Sequence, residues 1–155
     1  MKRIVVLPAI LSVALGFSTQ ASAFTCFLTL LKGSCWTDYD VTVNMSNATT
    51  GKPVLTLSVP KGKSYGRQKF TCDAGEEFNY TATFSPIFWQ ADKGKVFKGK
   101  RTWLLPESIK EGDTAWNITL CYPDEFAETP LPPTATSNCQ CSSKGIPPVP
   151  VPAKP

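Results

Sequence analysis

The chain has 155 residues, with six cysteines, no histidine, 42% hydrophobic and 18% charged residues, and a formal charge of +4. So small a positive balance is no nucleic-acid signature. The lack of histidine removes the usual base of a serine hydrolase and the commonest metal ligand.

In chain order, Lys2 and Arg3 precede the apolar run Ile4 to Phe17, and Ala21 and Ala23 put small residues where a signal peptidase reads. Residues 1–23 are therefore predicted to be a cleaved leader, with the mature chain starting at Phe24 and exported from a bacterial cell to the periplasm or beyond. The apolar run is too short to span a bilayer comfortably, and nothing later resembles a membrane helix. A lipid anchor on Cys26 is not expected, because Phe24 and Thr25 stand where lipidation needs small residues. Removing 23 residues leaves 132, enough for one domain with a real core. It also leaves 14 Lys and Arg against 12 Asp and Glu, a net charge of +2. Cys26, Cys35, Cys72, Cys121, Cys139 and Cys141 all survive cleavage, and an even number in an exported chain reads as a disulfide framework.

Cys26 to Leu31 is a plausible first strand. In "DYDVTVNM", Tyr39, Val41, Val43 and Met45 alternate with polar residues, which predicts a half-buried strand. The same period of two recurs at Leu55, Leu57 and Val59, at Phe78, Tyr80, Ala82 and Phe84, and at Trp116, Ile118, Leu120 and Tyr122. Tyr65 to Phe70 and Arg101 to Leu105 complete the set. Gly- and Asx-bearing turns separate them, and no long stretch has helical periodicity. About seven short strands without intervening helices predict an all-β, antiparallel, immunoglobulin-like β-sandwich over residues 24–122, a small closed barrel being the alternative. Trp36 beside Cys35, and Trp116 five residues before Cys121, do not match the antibody spacing, so the expectation concerns architecture rather than family membership.

From Pro123 onward the alternation stops and nine of the 14 prolines accumulate. Residues 123–155 are read as a proline-rich tail, pinned by cysteines and then disordered, whose end "GIPPVPVPAKP" favours polyproline geometry. Cys139 and Cys141 are spaced C-x-C, which fits neither a zinc claw in a chain without histidine nor a C-x-x-C redox pair at a helix start. Residues two apart bridge each other only with strain, so each is expected to reach a separate partner. Parity turns Cys121 to the outer face of its strand. A bridge from Cys121 to Cys139 or Cys141 is predicted, with the other tail cysteine bound to Cys26, Cys35 or Cys72.

Several motifs resolve into structure. "GKSYG" matches a nucleophile elbow at Ser64, but it lies in a turn of an all-β pattern with no histidine. Asn44, Asn47, Asn79 and Asn117 stand in N-x-S/T triplets, three of which follow from Thr or Asn repeating on a polar strand face, so no glycosylation is expected. The carboxylates form no catalytic pair, and no metal or cofactor is expected.

Two features point to binding. "FSPIFWQ" offers Phe88 or Trp89 as an exposed apolar anchor, burial of these rings in the core being the reading set against it. "DKGKVFKGKR" places Lys93, Lys95, Lys98, Lys100 and Arg101 on a basic hairpin, fit either for an anionic or protein partner or for guarding a sheet edge. The function expected is that of a non-enzymatic binding or structural protein of the cell envelope, an accessory of a protein assembly such as a secretion apparatus. The alternative is a carbohydrate- or envelope-polymer-binding module, or a secreted host-directed protein.

Overall fold

The structure is a computed structural model that describes residues 23–136 and 139–152; the predicted leader lies almost wholly outside these. The described chain is all-β, in two sheets. Its strands are β1 (Phe24–Lys32), β2 (Asp40–Asn47), β3 (Pro53–Val59), β4 (Tyr65–Cys72), β5 (Glu77–Ser85), β6 (Phe97–Lys98), β7 (Trp103–Leu104) and β8 (Trp116–Tyr122). One sheet has the order β4-β1-β8. The other runs β3-β2-β5-β6, with β7 also on β5.

The alternating segments pack as their period requires. Val41, Val43 and Met45 of β2, Leu55, Leu57 and Val59 of β3, and Phe78, Tyr80, Ala82 and Phe84 of β5 face Leu28 and Leu30 of β1 and Ile118, Leu120 and Tyr122 of β8 across one core. Every second residue being apolar lets each sheet cover the other while leaving a polar outer face. Trp36, fully buried, meets Tyr122, Phe84 and Tyr39 edge-on at 4.7, 4.9 and 5.4 Å between ring centroids.

The sheets are not wholly antiparallel, which corrects the sequence expectation. β1 runs antiparallel to β4 but parallel to β8, with Cys26 opposite Trp116 and Leu31 opposite Cys121. A parallel neighbour cannot arrive by a hairpin and needs a long crossover. Here the crossover takes in the entire second sheet, and β4 with it, all of which lie between β1 and β8 in the chain. β6 was also not anticipated. It is two residues long, and only Phe97 of it is buried.

β1 is buried on both sides, every residue from Cys26 to Lys32 lying below the surface. Its inner face joins the core, while Thr29 and Leu31 of its outer face lie against the C-terminal tail. After β8 the chain turns at Pro123 and crosses to the other sheet. There the Lys100 amide donates to the Glu125 carbonyl and the Ala127 amide to the Lys98 carbonyl, covering the edge of β6. Phe126 is buried in the same stretch, 5.4 Å from both Tyr80 and Tyr122.

All six cysteines are bridged: Cys26–Cys72, Cys35–Cys139 and Cys121–Cys141, spanning 46, 104 and 20 residues of sequence. Cys139 and Cys141 thus reach separate partners, and Cys121 binds a tail cysteine from the outer face of β8. Three disulfides fit a protein made for an oxidising compartment. Among the described residues no helix is long and apolar enough to cross a membrane.

Two buried polar groups stand out. The Lys32 ammonium, at the end of β1, donates to the carbonyls of Tyr39 and of Pro60 (2.9 Å), tying β1 to the segments that flank β2 and β3. Burial lowers its pKa, against the opposing pull of Asp40 and Asp38. The Tyr122 hydroxyl is fully buried without a hydrogen-bond partner among the described residues. Burial first, and then the charge of Asp92, pushes its pKa far above the usual phenol range. Tyr80 is raised by burial and by Glu125.

An unfolded tyrosine loses its proton near about pH 10. The folded state holds on to both phenolic protons, so above that pH the unfolded chain binds fewer protons and stability falls. Lys32 acts in the opposite direction, adding stability as pH rises from its lowered pKa toward about 10.4. Tyr122→Phe removes an unsatisfied donor and one of the two tyrosine contributions. It should raise stability at pH 7 by about 1 kcal/mol and shrink the loss above pH 10, as urea titrations at the two pH values will show. A stability loss at pH 7 would mean that the hydroxyl is satisfied after all.

Candidate functional site

The loop between β5 and β6 holds the densest group of predicted binding residues. It leaves β5 at Ser85, carries Ile87, Phe88 and Trp89, makes one 3-10 turn over Gln90–Asp92 and returns through Lys93 to Val96 into β6. β6 pairs with β5, Lys98 opposite Thr81 and Phe97 opposite Ala82. The predicted basic hairpin is therefore divided: Lys93 and Lys95 are on the connecting loop, whereas Lys98, Lys100 and Arg101 are on and beyond the returning strand.

The two aromatic candidates part company. Phe88 is half-buried and stacks on Phe84 at 5.0 Å, with Tyr39 at 5.4 Å, so its ring is fixed to the core. Trp89, joined edge-on to Phe88 at 5.8 Å, is 50% exposed, with Ile87 at 37% and Val96 at 55% on the same loop. Phe88 thus acts as the peg that holds Trp89 outward on a rigid base.

The five cations divide as well. Lys95 pairs with the buried carboxylate of Asp92 at 3.0 Å, which fixes the turn. Arg101 reaches Glu125 at 3.4 Å and lies 4.8 Å from the centre of the Trp103 ring. Among the described residues Lys93, Lys98 and Lys100 make no ion pair and are exposed. Lys98 is the wall between two open clefts. One, of about 550 Å³, is lined by Lys95, Val96, Phe97, Lys98, Ala127 and Glu128. The other, of about 340 Å³, is lined by Asn79, Tyr80, Thr81, Lys98, Gly99 and Arg101. An exposed indole on the loop, and an unpaired ammonium at the border of two clefts, can hold a partner by apolar contact and by charge.

The other motifs have structural roles. Ser64 is exposed in the turn from β3 to β4, and its carbonyl accepts from the Lys32 amide at 2.8 Å. The four triplet asparagines are each held in hydrogen bonds. Asn44 accepts from Thr56 (2.7 Å), Asn79 from Thr102 (2.9 Å) and Asn117 from Thr29 (2.8 Å), while the Asn47 carbonyl receives the Thr50 amide (2.8 Å). All six cysteines are joined in bridges, so none stands as a free thiol.

A second surface escaped the sequence reading. On the outer face of β4-β1-β8, Arg67 Nε donates to Thr29 Oγ1 (2.8 Å), Thr29 Oγ1 donates to Asn117 Oδ1 (2.8 Å), and Asn117 Nδ2 donates to Thr119 Oγ1 (2.9 Å). This row crosses all three strands. Arg67 then reaches the tail, where one terminal nitrogen donates to the carbonyls of Pro147 (3.0 Å) and Pro148 (3.1 Å). Only the cross-strand register places Arg67 opposite Thr29 and Thr29 opposite Thr119, so no local pattern announces the row.

No protein-family model matches the chain, nor does any curated protein or solved structure match it significantly.

Proposed function

We infer that this is an exported, non-enzymatic binding protein of the bacterial cell envelope, with an immunoglobulin-like sandwich as its body and a protein assembly, such as a secretion apparatus, as its setting. The observation that carries the reading is the loop between β5 and β6, where a half-exposed Trp89 stands on a core-anchored Phe88 and Lys93 is exposed, with the exposed Lys98 and Lys100 on and beyond the strand that follows. At interfaces tryptophan is among the residue types that dominate the energy of contact, and Trp89 shares its loop with the exposed Ile87 and Val96. The disulfide framework favours an oxidising site of action, and the leader read from residues 1–23 supplies the route there.

The test is crosslinking in intact cells of the source organism, followed by identification of the adduct. A specific, stoichiometric protein adduct is expected. Trp89→Ala should weaken the isolated complex by about 2 kcal/mol, roughly thirtyfold in Kd. Lys98→Ala should act chiefly on association rate and salt dependence. An adduct that is unchanged by Trp89→Ala would move the interface elsewhere.

The second reading is a module for a glycan or an anionic envelope polymer, favoured by the exposed Trp89 indole on the β5–β6 loop and by a cleft bordered by Lys95 and Lys98. A glycan pull-down that depends on Trp89, without a protein adduct in cells, would select it.

A further inference from the structure

We propose that the outer face of β4-β1-β8 is a docking groove for proline-rich extended segments, and that the protein's own tail occupies it as a displaceable plug. This surface is separate from the β5–β6 loop, and the proposal stands whether or not that loop binds a partner.

The chemistry of groove and occupant match atom by atom. A guanidinium carries five donors and no acceptor. Two successive prolines present carbonyl oxygens and no N–H. In polyproline geometry those carbonyls are unused by the segment itself. Arg67 meets this donor-free backbone by donating to the Pro147 and Pro148 carbonyls together, while its Nε is spent on Thr29, which fixes the plane of the fork. Thr29 is only 2% exposed and is itself held by Asn117. The donor is thus aimed by buried structure rather than by a free surface side chain. Leu31 on the sheet and Ile146, Pro148 and Val149 on the tail supply apolar lining, around a remaining space of about 240 Å³. A proline-containing extended segment loses little conformational entropy on docking, because its geometry exists before binding.

The occupancy is conditional. The Cys121–Cys141 bridge roots the tail beside β8, six residues before Pro147. A short tether of this kind gives an effective concentration on the order of millimolar, so the plug holds against weak competitors through closeness rather than strength. Beyond that root, Arg67 makes the side-chain hydrogen bonds that join the described tail to the sheet. A partner that presents a proline-rich segment of higher intrinsic affinity, or several in tandem, displaces the tail, and the released tail becomes an exposed polyproline ligand.

The experiment uses the full chain and a fluorescent peptide with the sequence of residues 143–152, SKGIPPVPVP. Three proteins are compared by anisotropy: the unaltered chain, a chain in which residues 146–152 are exchanged for seven Gly and Ser residues, and the latter with Arg67→Ala. Disulfide mapping establishes that each retains its three bridges. The exchanged chain should bind the peptide about tenfold or more tightly than the unaltered chain, because its tail no longer competes. Arg67→Ala should abolish that gain, and a peptide with alanine for both adjacent prolines should bind correspondingly less. In the unaltered chain, Arg67→Ala should also speed tryptic cleavage after Lys144, a readout independent of the exchanged tail. The proposal is overturned if the exchanged chain binds the peptide no better than the unaltered one, if binding survives Arg67→Ala, or if cleavage after Lys144 is unaffected by that substitution.

Discussion

Replacing Cys35 and Cys139 together by alanine is expected to cost about 4–5 kcal/mol, more than the loss of either other bridge. The argument lies in the unfolded state. A cross-link removes chain entropy that grows with the logarithm of the loop it closes, and Cys35–Cys139 spans 104 residues against 20 for Cys121–Cys141. The other bridges shorten the larger loop: Cys26–Cys72 and Cys121–Cys141 together leave a path of about 60 residues from Cys35 to Cys139, still about three times the smaller loop. From that dependence the two double substitutions should differ by about 1 kcal/mol. The measurement is urea unfolding with the denaturant slope fitted separately for each protein, because freeing a loop expands the unfolded chain and steepens the slope. Equal losses for the two pairs, or a reversed order, would show that native contacts around the tail rather than chain entropy set its worth.

The ranking bears on how much of this molecule is legible in its sequence. Strands β2, β3, β5 and β8 announce themselves because each has one wet and one dry face, and alternation is the direct record of that condition. The outer position of Cys121 follows from the same parity, which is why its bridge to the tail was predictable within one choice. β1 is harder to read, since Phe27, Thr29 and Leu31 are buried along with Cys26, Leu28 and Leu30, and burial on both faces erases the alternation. β6 is invisible because a two-residue strand has no period; it registers only as Phe97 among lysines. The parallel pairing of β1 with β8 depends on residues some 90 positions apart, and no local signal encodes it.

The candidate surfaces divide along the same line. Trp89 and the lysines were legible as composition, since aromatic and charged residues in a turn-rich stretch stand out whatever the fold. Their sorting was not: the buried carboxylate of Asp92 that captures Lys95, and the core contacts that hold Phe88, appear only once β5 and β6 are paired. The row from Arg67 to Thr119 is illegible for a deeper reason. Each of its members is an ordinary polar residue on an ordinary strand, and the site exists only as the register that lines them up.

Gly33→Ala is expected to be the most damaging single methyl group in the protein, at about 3 kcal/mol or more. Glycine is not required here for its dihedral freedom, since φ is −60°, a value any residue adopts. It is required for space. A β-carbon at this position would fall inside contact distance of the Cys139 carbonyl oxygen, 3.1 Å from its carbonyl carbon and 3.2 Å from Pro123 Cδ. Overpacking is usually relieved when a side chain swings aside, but here the obstacle is backbone. Cys139 is bridged to Cys35, Cys141 two residues on is bridged to Cys121, the Gly33 amide donates to the Tyr122 carbonyl at 2.7 Å and the Ser34 amide to the Gln140 carbonyl at 3.1 Å. Neither the end of β1 nor the tail can retreat without breaking one of these links. The substitution should therefore appear in two readouts: a lowered unfolding free energy, and a fraction of molecules with thiol-reactive Cys35 and Cys139 by peptide mapping. The strain also predicts its own cure. With Cys35 and Cys139 already replaced by alanine, the tail is free to move off, and Gly33→Ala should cost at least about 1 kcal/mol less than in the bridged protein, a coupling typical of residues in direct contact. Additive effects of the two changes, with complete bridge formation in Gly33→Ala, would refute the claim that Gly33 is the seat on which the tail is clamped.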